Sequence, residues 1–107
     1  MAGQRERGRT KRREDERAAR KLVREREKLA LALPGGAAEH PIAVTSAAVV
    51  ETMARANACV QCGGTLDLRG DRAQSSGRGV LRAMELVCRI CHAPRTLWYL
   101  IVGSAPS

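Results

Sequence analysis

The chain has 107 residues, a formal net charge of +8, four cysteines, one tryptophan, one tyrosine and no phenylalanine. A chain of this length forms one small domain with appendages, and the scarcity of aromatic residues disfavours a single-strand nucleic-acid binder that works by base stacking. No apolar run approaches the roughly 18 residues of a membrane span, so we expect no integral membrane segment.

The positive charge is concentrated in the N-terminal part of the sequence. Residues 1–28 carry twelve Lys and Arg side chains against six Asp and Glu, whereas the remainder carries seven against five. Leu22 and Val23 are followed at once by charged residues, so the apolar segment typical of an export signal is missing. We therefore expect a cytoplasmic protein, in which paired cysteines bind metal rather than form disulfide bonds.

The first predicted elements are a disordered tail over residues 1–10 and a basic amphipathic helix over residues 11–33. The tail is polar with two glycines, and the helical segment contains no glycine or proline until the Pro-Gly-Gly sequence at 34–36. Successive helical residues turn by about 100°, which sorts the side chains into two stripes. The apolar stripe comprises Ala18, Leu22, Leu29 and Leu33. The basic stripe comprises Arg13, Arg17, Arg20, Lys21, Arg24 and Lys28.

Three interpretations of this helix remain open. It is a solvated helix stabilised by pairs such as Glu16–Arg20, a helix that lies along nucleic-acid phosphates, or a helix that lies on a membrane surface. The last is disfavoured because no Trp or Phe anchors the apolar stripe. The apolar stripe is too short for an independent coiled coil, but it is able to pack on the rest of the chain or on a second copy.

The middle of the chain is predicted to support the C-terminal module. Residues 34–41 read as a linker or as a turn between packed parts, in which His40 is an ordinary exposed histidine. Residues 42–58 contain a short strand at 42–44 and an apolar helix at 47–56, capped by Thr45 or Ser46, that packs on the residues that follow.

Two Cys-x-x-Cys pairs dominate the C-terminal half, Cys59 with Cys62 and Cys88 with Cys91. A turn of two residues between cysteines directs both sulfurs at one ion, and four thiolates suit tetrahedral zinc. Glycine at 63–64 supplies the left-handed backbone that such a turn needs, and His92 occupies the corresponding place after the second pair. Sulfur ligands by themselves also allow iron, but the closed tetrathiolate favours one Zn²⁺ ion.

With these pairs, residues 59–102 resemble the zinc ribbon family, in the segments CVQCGGTL, CRICHAP and TLWYLIV. The resemblance implies that Cys59, Cys62, Cys88 and Cys91 are the zinc ligands. It also implies a ribbon of three short antiparallel strands, so the expected fold is a small α+β zinc ribbon preceded by a short helix and the long basic helix. Zinc ribbons occur in transcription, translation and replication factors and in protein-binding modules, so the family indicates a fold more than a function.

The predicted strands are residues 65–69, 80–87 and 96–102, with a polar loop at 70–79 and a tail at 103–107. In the last strand, Leu97, Tyr99 and Ile101 alternate with Trp98, Leu100 and Val102, so both sides are apolar. We expect the 47–56 helix to cover one side and the apolar stripe of the first helix, or a second subunit, to cover the other.

These features predict a non-catalytic zinc module whose basic arm contacts nucleic acid or a nucleoprotein complex with low sequence specificity. The alternative is a zinc-stabilised protein–protein adaptor or homodimer without a nucleic-acid role. Redox chemistry is disfavoured because reactive Cys-x-x-Cys pairs usually open a helix, and zinc hydrolysis is disfavoured because four cysteines leave no open position on the metal. No small-molecule substrate is expected.

Overall fold

The structure is a computed structural model that describes the backbone of residues 2–103 and the side chains of residues 9–103. It is a small α+β fold with a long helix and one four-stranded sheet. Residue 1 and residues 104–107, which include most of the tail predicted over 103–107, lie outside this description.

The long helix α1 runs from Ala2 to Ala32. The disordered tail predicted for residues 1–10 is therefore corrected over residues 2–10, which continue the helix. Gly3 and Gly8 each cost a helix only about 1 kcal/mol relative to alanine, and no proline interrupts this segment. The helix ends close to the Pro-Gly-Gly sequence, as the sequence predicts.

The segment that follows α1 is a packed turn, one of the two forms predicted for residues 34–41. The N–H of Gly35, which has a φ of +82°, donates to the carbonyl of His40 at 2.8 Å, and the N–H of Trp98 donates to the carbonyl of Gly35 at 2.8 Å. A side chain on Gly36 would collide with the Ala30 carbonyl, so glycine is needed for this close approach to the helix end. His40 is exposed, and its ring contacts the carbonyl of Leu31.

The sheet contains four strands in the order β1-β4-β3-β2. They are β1 (Ile42–Val44), β2 (Leu66–Ser76), β3 (Gly79–Cys88) and β4 (Pro94–Val102). β2 pairs with β3 and β3 with β4 in antiparallel fashion, whereas β1 pairs with β4 in parallel. The three predicted antiparallel strands are therefore present but longer than expected, and the short strand predicted at 42–44 joins them as a fourth, parallel strand. The long connection between β1 and β4 allows the two strands to run in the same direction.

The polar loop predicted at 70–79 is also wrong, since most of it extends the β2–β3 hairpin. The ladder runs from Leu66 opposite Cys88 to Ser76 opposite Gly79, with a bulge at Arg69. Cross-strand ion pairs join Arg82 to Asp71 and Arg72 to Glu85. Charged pairs across strands replace the apolar alternation that marks a strand in sequence, so this part of the hairpin has no hydrophobic signature.

The core lies between one face of the sheet and a short helix. A 3₁₀ turn at Ala47–Val49 leads into α2 (Val50–Arg55), and Ser46 caps the turn by accepting from the N–H of Ala48 at 3.2 Å. Val50 and Ala54 of α2 are fully buried in a cluster with Met84, Leu86 and Tyr99. α2 therefore covers the Leu97, Tyr99 and Ile101 side of β4.

The opposite side of the sheet is apolar near Trp98 and Leu100, but the apolar stripe of α1 does not cover it. Leu22, Leu29 and Leu33 are 45%, 67% and 57% exposed. The expected packing of this stripe on β4 is therefore corrected. α1 instead contacts the rest of the chain through the side of the helix that carries Glu27 and Ala30, which belongs to neither stripe.

Candidate metal centre

The two Cys-x-x-Cys pairs form turns with the same hydrogen bonds. The N–H of Gly63 donates to the carbonyl of Cys59 at 2.8 Å, and the N–H of Cys59 donates to the carbonyl of Gly64 at 2.9 Å. In the second turn, the N–H of His92 donates to the Cys88 carbonyl at 3.1 Å and the N–H of Cys88 to the Ala93 carbonyl at 3.0 Å. Each turn places its two cysteine side chains on one side.

Left-handed backbone closes both turns. Gly63 has a φ of +78° and His92 a φ of +62°, so histidine adopts the conformation that glycine adopts in the first turn. Gly64 has a separate role, because a Cβ there would lie 2.9 Å from Sγ of Cys88 and 3.2 Å from Sγ of Cys62. Glycine at position 64 therefore leaves the space in which the two turns approach each other.

The structure brings Cys59, Cys62, Cys88 and Cys91 together, with all four sulfurs within 4.8 Å of one another. The Sγ atoms of Cys59 and Cys91 are 3.6 Å apart, and those of Cys62 and Cys88 are 3.4 Å apart. Tetrahedral zinc with Zn–S bonds of about 2.3 Å separates its sulfurs by about 3.8 Å. The spacing therefore fits a tetrathiolate metal site, and the four cysteines can hold a metal ion.

Backbone N–H groups stabilise negative charge on the sulfurs. The N–H of Gln61 donates to Sγ of Cys59 at 3.4 Å, and the N–H of Ile90 donates to Sγ of Cys88 at 3.3 Å. The backbone N–H of Cys91 lowers the pKa of Cys88 to about 6, against the effect of burial. For Cys91, the N–H of Ala93 acts in the same direction, but burial and the three neighbouring thiol groups raise the pKa to about 12. Cys88 therefore ionises more readily than Cys91, and a bound cation would favour the thiolate form of both.

The first metal-site turn also attaches α1 to the sheet. Gln61, inside the Cys59–Cys62 turn, donates from Nε2 to Oε1 of Glu27 at 2.8 Å and to the carbonyl of Val23 at 3.1 Å. In return, Nη1 of Arg26 donates to the carbonyl of Gln61 at 2.6 Å. One turn of α1 is therefore hydrogen-bonded to the residue between two candidate ligands.

A bidentate ion pair completes this attachment. Arg95 at the start of β4 donates to both carboxylate oxygens of Glu27, at 3.0 Å and 2.7 Å. The Arg95 side chain is only 9% exposed, while Glu27 is 39% exposed. The hydrogen bond from Arg95 lowers the pKa of Glu27, so the carboxylate stays charged at neutral pH. We name the contact of Glu27, Gln61 and Arg95 the helix latch.

The latch uses a side of α1 that neither predicted stripe occupies. At about 100° per residue, Glu27 and Ala30 lie between the apolar stripe and the basic stripe. All six residues of the basic stripe are exposed. No local pattern in the sequence indicates the latch, because Gln61 and Arg95 lie 34 and 68 residues from Glu27 along the chain.

Replacement of Arg95 by methionine should release the inner part of α1 while leaving the metal site intact. The substitution removes two charge-assisted hydrogen bonds, each worth about 1.5–3 kcal/mol before the exposure of Glu27 is discounted. We expect amide hydrogen exchange at residues 23–30 to accelerate about tenfold or more. The matched control is Arg89→Met, which removes the exposed Arg89–Asp67 pair at the second turn and should leave α1 unchanged. Unaltered exchange in Arg95→Met would show that the latch does not hold the helix.

Comparisons of the chain with protein families, with curated proteins and with solved structures gave no match. Among the described residues, no helix combines the length and the apolar character that a membrane crossing requires.

Proposed function

We propose that the chain is a non-catalytic zinc ribbon module whose basic helix contacts nucleic acid or a nucleoprotein complex with low sequence specificity. The zinc part of this proposal is supported by the four sulfurs within 4.8 Å and by the matching turns that carry them. Four cysteine ligands fill the coordination sphere of zinc, which suits a structural site. The ion would stabilise the small aliphatic core, and no reaction step is assigned to it.

The nucleic-acid part is supported by a contrast between the charges of the sheet and those of α1. Outside α1, three pairs have N–O distances of 2.7–2.9 Å: Arg55 with Glu51 in α2, and Arg72 with Glu85 and Arg89 with Asp67 in the sheet and its loops. In the basic stripe, Lys21 approaches Glu25 at 3.9 Å. Within residues 9–103, the structure shows no carboxylate paired with the other five members of the stripe.

This exposed stripe, in which five of the six cations have no carboxylate partner among the described residues, is the single observation that carries the proposal. From Arg13 to Lys28 it extends over 15 residues of helix, which corresponds to about 22 Å. A stripe of this length is able to meet several successive phosphates. Phosphate contacts position a protein without reading sequence, so the binding should be weakly specific.

Binding to a duplex of arbitrary sequence should therefore depend strongly on salt. If about five phosphates are neutralised, the logarithm of the association constant should fall with the logarithm of the salt concentration at a slope of about −4 to −5. Fluorescence anisotropy with a labelled duplex, titrated from about 50 to 300 mM NaCl, measures this slope. A flat response, or no binding at the lowest salt concentration, would remove the nucleic-acid part of the proposal.

The alternative function is a zinc-stabilised adaptor or homodimer. The observation in its favour is the exposure of Leu22, Leu29 and Leu33. Light scattering of the zinc-loaded protein tests the homodimer, since a dimer that buries these residues should persist at high salt. A strict monomer at high concentration counts against it.

A further inference from the structure

We infer that residues 9–13, in the part of α1 that extends away from the sheet, insert into the major groove of double-stranded DNA. This inference rests on the proposed contact between the helix and nucleic acid, and it specifies the kind of nucleic acid. It comes from the distribution of charge around the described part of the helix, which differs between residues 9–13 and residues 14–28.

Cations surround much of the helix at residues 9–13. Arg9, Lys11, Arg12 and Arg13 are all exposed, and at about 100° per residue their directions span about 200° of the circumference. Among residues 14–28, the cations are five members of the basic stripe, which spans only about 100°, and Arg26, which donates to the carbonyl of Gln61 and so faces the sheet region. A helix that lies outside a duplex meets phosphates on one side, whereas a helix inside a groove has a phosphate backbone on each flank. The wider distribution at residues 9–13 suits the groove.

The wide distribution of cations around the helix ends at an acidic segment. Glu14, Asp15 and Glu16 are exposed and project on the sides of the helix outside the basic stripe. Carboxylates on those sides would repel phosphates, so from residue 14 onward only the basic stripe is able to face a backbone. The helix is therefore built to enter a groove up to about Arg13 and then to follow one strand.

The outer helix is also free to enter a groove. The side chains of residues 9–26 are exposed, and the polar contacts with the sheet region involve residues from Val23 onward. The molecule measures 79 Å along its longest axis but only 24 Å and 16 Å across. An α-helix with side chains is about 10–12 Å wide, which matches the B-DNA major groove of about 12 Å. The major groove of A-form RNA is too narrow to admit it.

The test compares four labelled ligands of one sequence, about 20 residues per strand, by anisotropy in the same buffer. They are duplex DNA, duplex RNA, single-stranded DNA and duplex DNA whose cytosines carry a glucosylated hydroxymethyl group. That group projects from C5 into the major groove but leaves the phosphates in place. We expect plain duplex DNA to bind about tenfold or more tightly than each of the other three.

Two variants distinguish insertion into the groove from attraction of the DNA by positive charge alone. Arg9→Gln, Lys11→Gln, Arg12→Gln and Arg13→Gln together should abolish the preference for unmodified DNA. The control carries Arg55→Gln, Arg69→Gln, Arg72→Gln and Arg78→Gln, which removes the same charge from exposed arginines of the sheet region and should keep that preference.

The outcomes distinguish this inference from the function it rests on. Equal binding to all four ligands with a steep salt dependence would overturn groove insertion while leaving the nucleic-acid function in place. Tighter binding to duplex RNA or to single strands would also overturn it. No binding to any ligand would overturn both, and would favour a protein partner.

Discussion

Removal of the metal should unfold the sheet region. Structural zinc in small domains contributes on the order of 10 kcal/mol or more, which exceeds what a sheet of this size gains from a core without aromatic side chains other than Tyr99 and Trp98. Without a cation, four sulfurs within 4.8 Å must remain partly protonated, and the two turns lose the common centre that joins them. Chelation should therefore abolish cooperative thermal unfolding followed by Trp98 fluorescence.

Several controls separate this effect from nonspecific damage. Zn²⁺ should restore the transition and Mg²⁺ should not, because thiolates prefer soft cations. Acidification should have the same effect as chelation, since protons compete with the metal for the thiolates and metal affinity falls as pH falls. Cys88→Ser should behave like the chelated protein at any zinc concentration. A cooperative transition that survives in the chelated protein would contradict the proposed role of the metal.

Neutralisation of the basic stripe should weaken nucleic-acid binding by about three orders of magnitude. At about 0.15 M salt, each phosphate contact contributes about 0.7 logarithmic units to the association constant, so five contacts contribute about 3.5. The variant replaces all six residues of the basic stripe with glutamine, a good helix former, at positions that are exposed. Its metal content and thermal transition should equal those of the unmodified protein.

The matched control keeps the charge and changes only the side-chain type. Arg13→Lys, Arg17→Lys, Arg20→Lys and Arg24→Lys together should retain the affinity within a few-fold, because phosphate contacts of this kind depend on charge. Full affinity in the glutamine variant would show that the stripe is a solvated surface. Loss of affinity in the lysine variant would indicate bidentate recognition by arginine instead.

The candidate metal site was largely predictable because its chemistry is local. A spacing of two residues between the cysteines defines a turn whose two sulfurs point to one side. Gly63 follows the first pair and His92 follows the second. Their predicted left-handed backbone is present at both positions. The meeting of the two turns is non-local, but a pattern of two Cys-x-x-Cys pairs implies it, since a single ion satisfies both.

Strand boundaries were less predictable where β2 is polar on both faces. Residues 70–76 carry no apolar alternation, and only their pairing with residues 79–85 shows that they form a strand. Their backbone groups are satisfied by a neighbouring strand and their charges by Arg82 and Glu85. Both the hydrogen bonds and the ion pairs depend on partners in β3, so the pattern of residues 70–76 does not reveal the strand.

The sequence alone indicated the four cysteines that can hold a metal ion, the turns that present them, the long basic helix and the apolar character of both sides of β4. Each of these depends on neighbouring residues or on a simple period. Only the tertiary structure decided the parallel pairing of β1 with β4 and the attachment of α1 through Glu27, Gln61 and Arg95. These contacts join residues far apart in the chain, and the hydrogen bonds and ion pair that select them have no periodic signature.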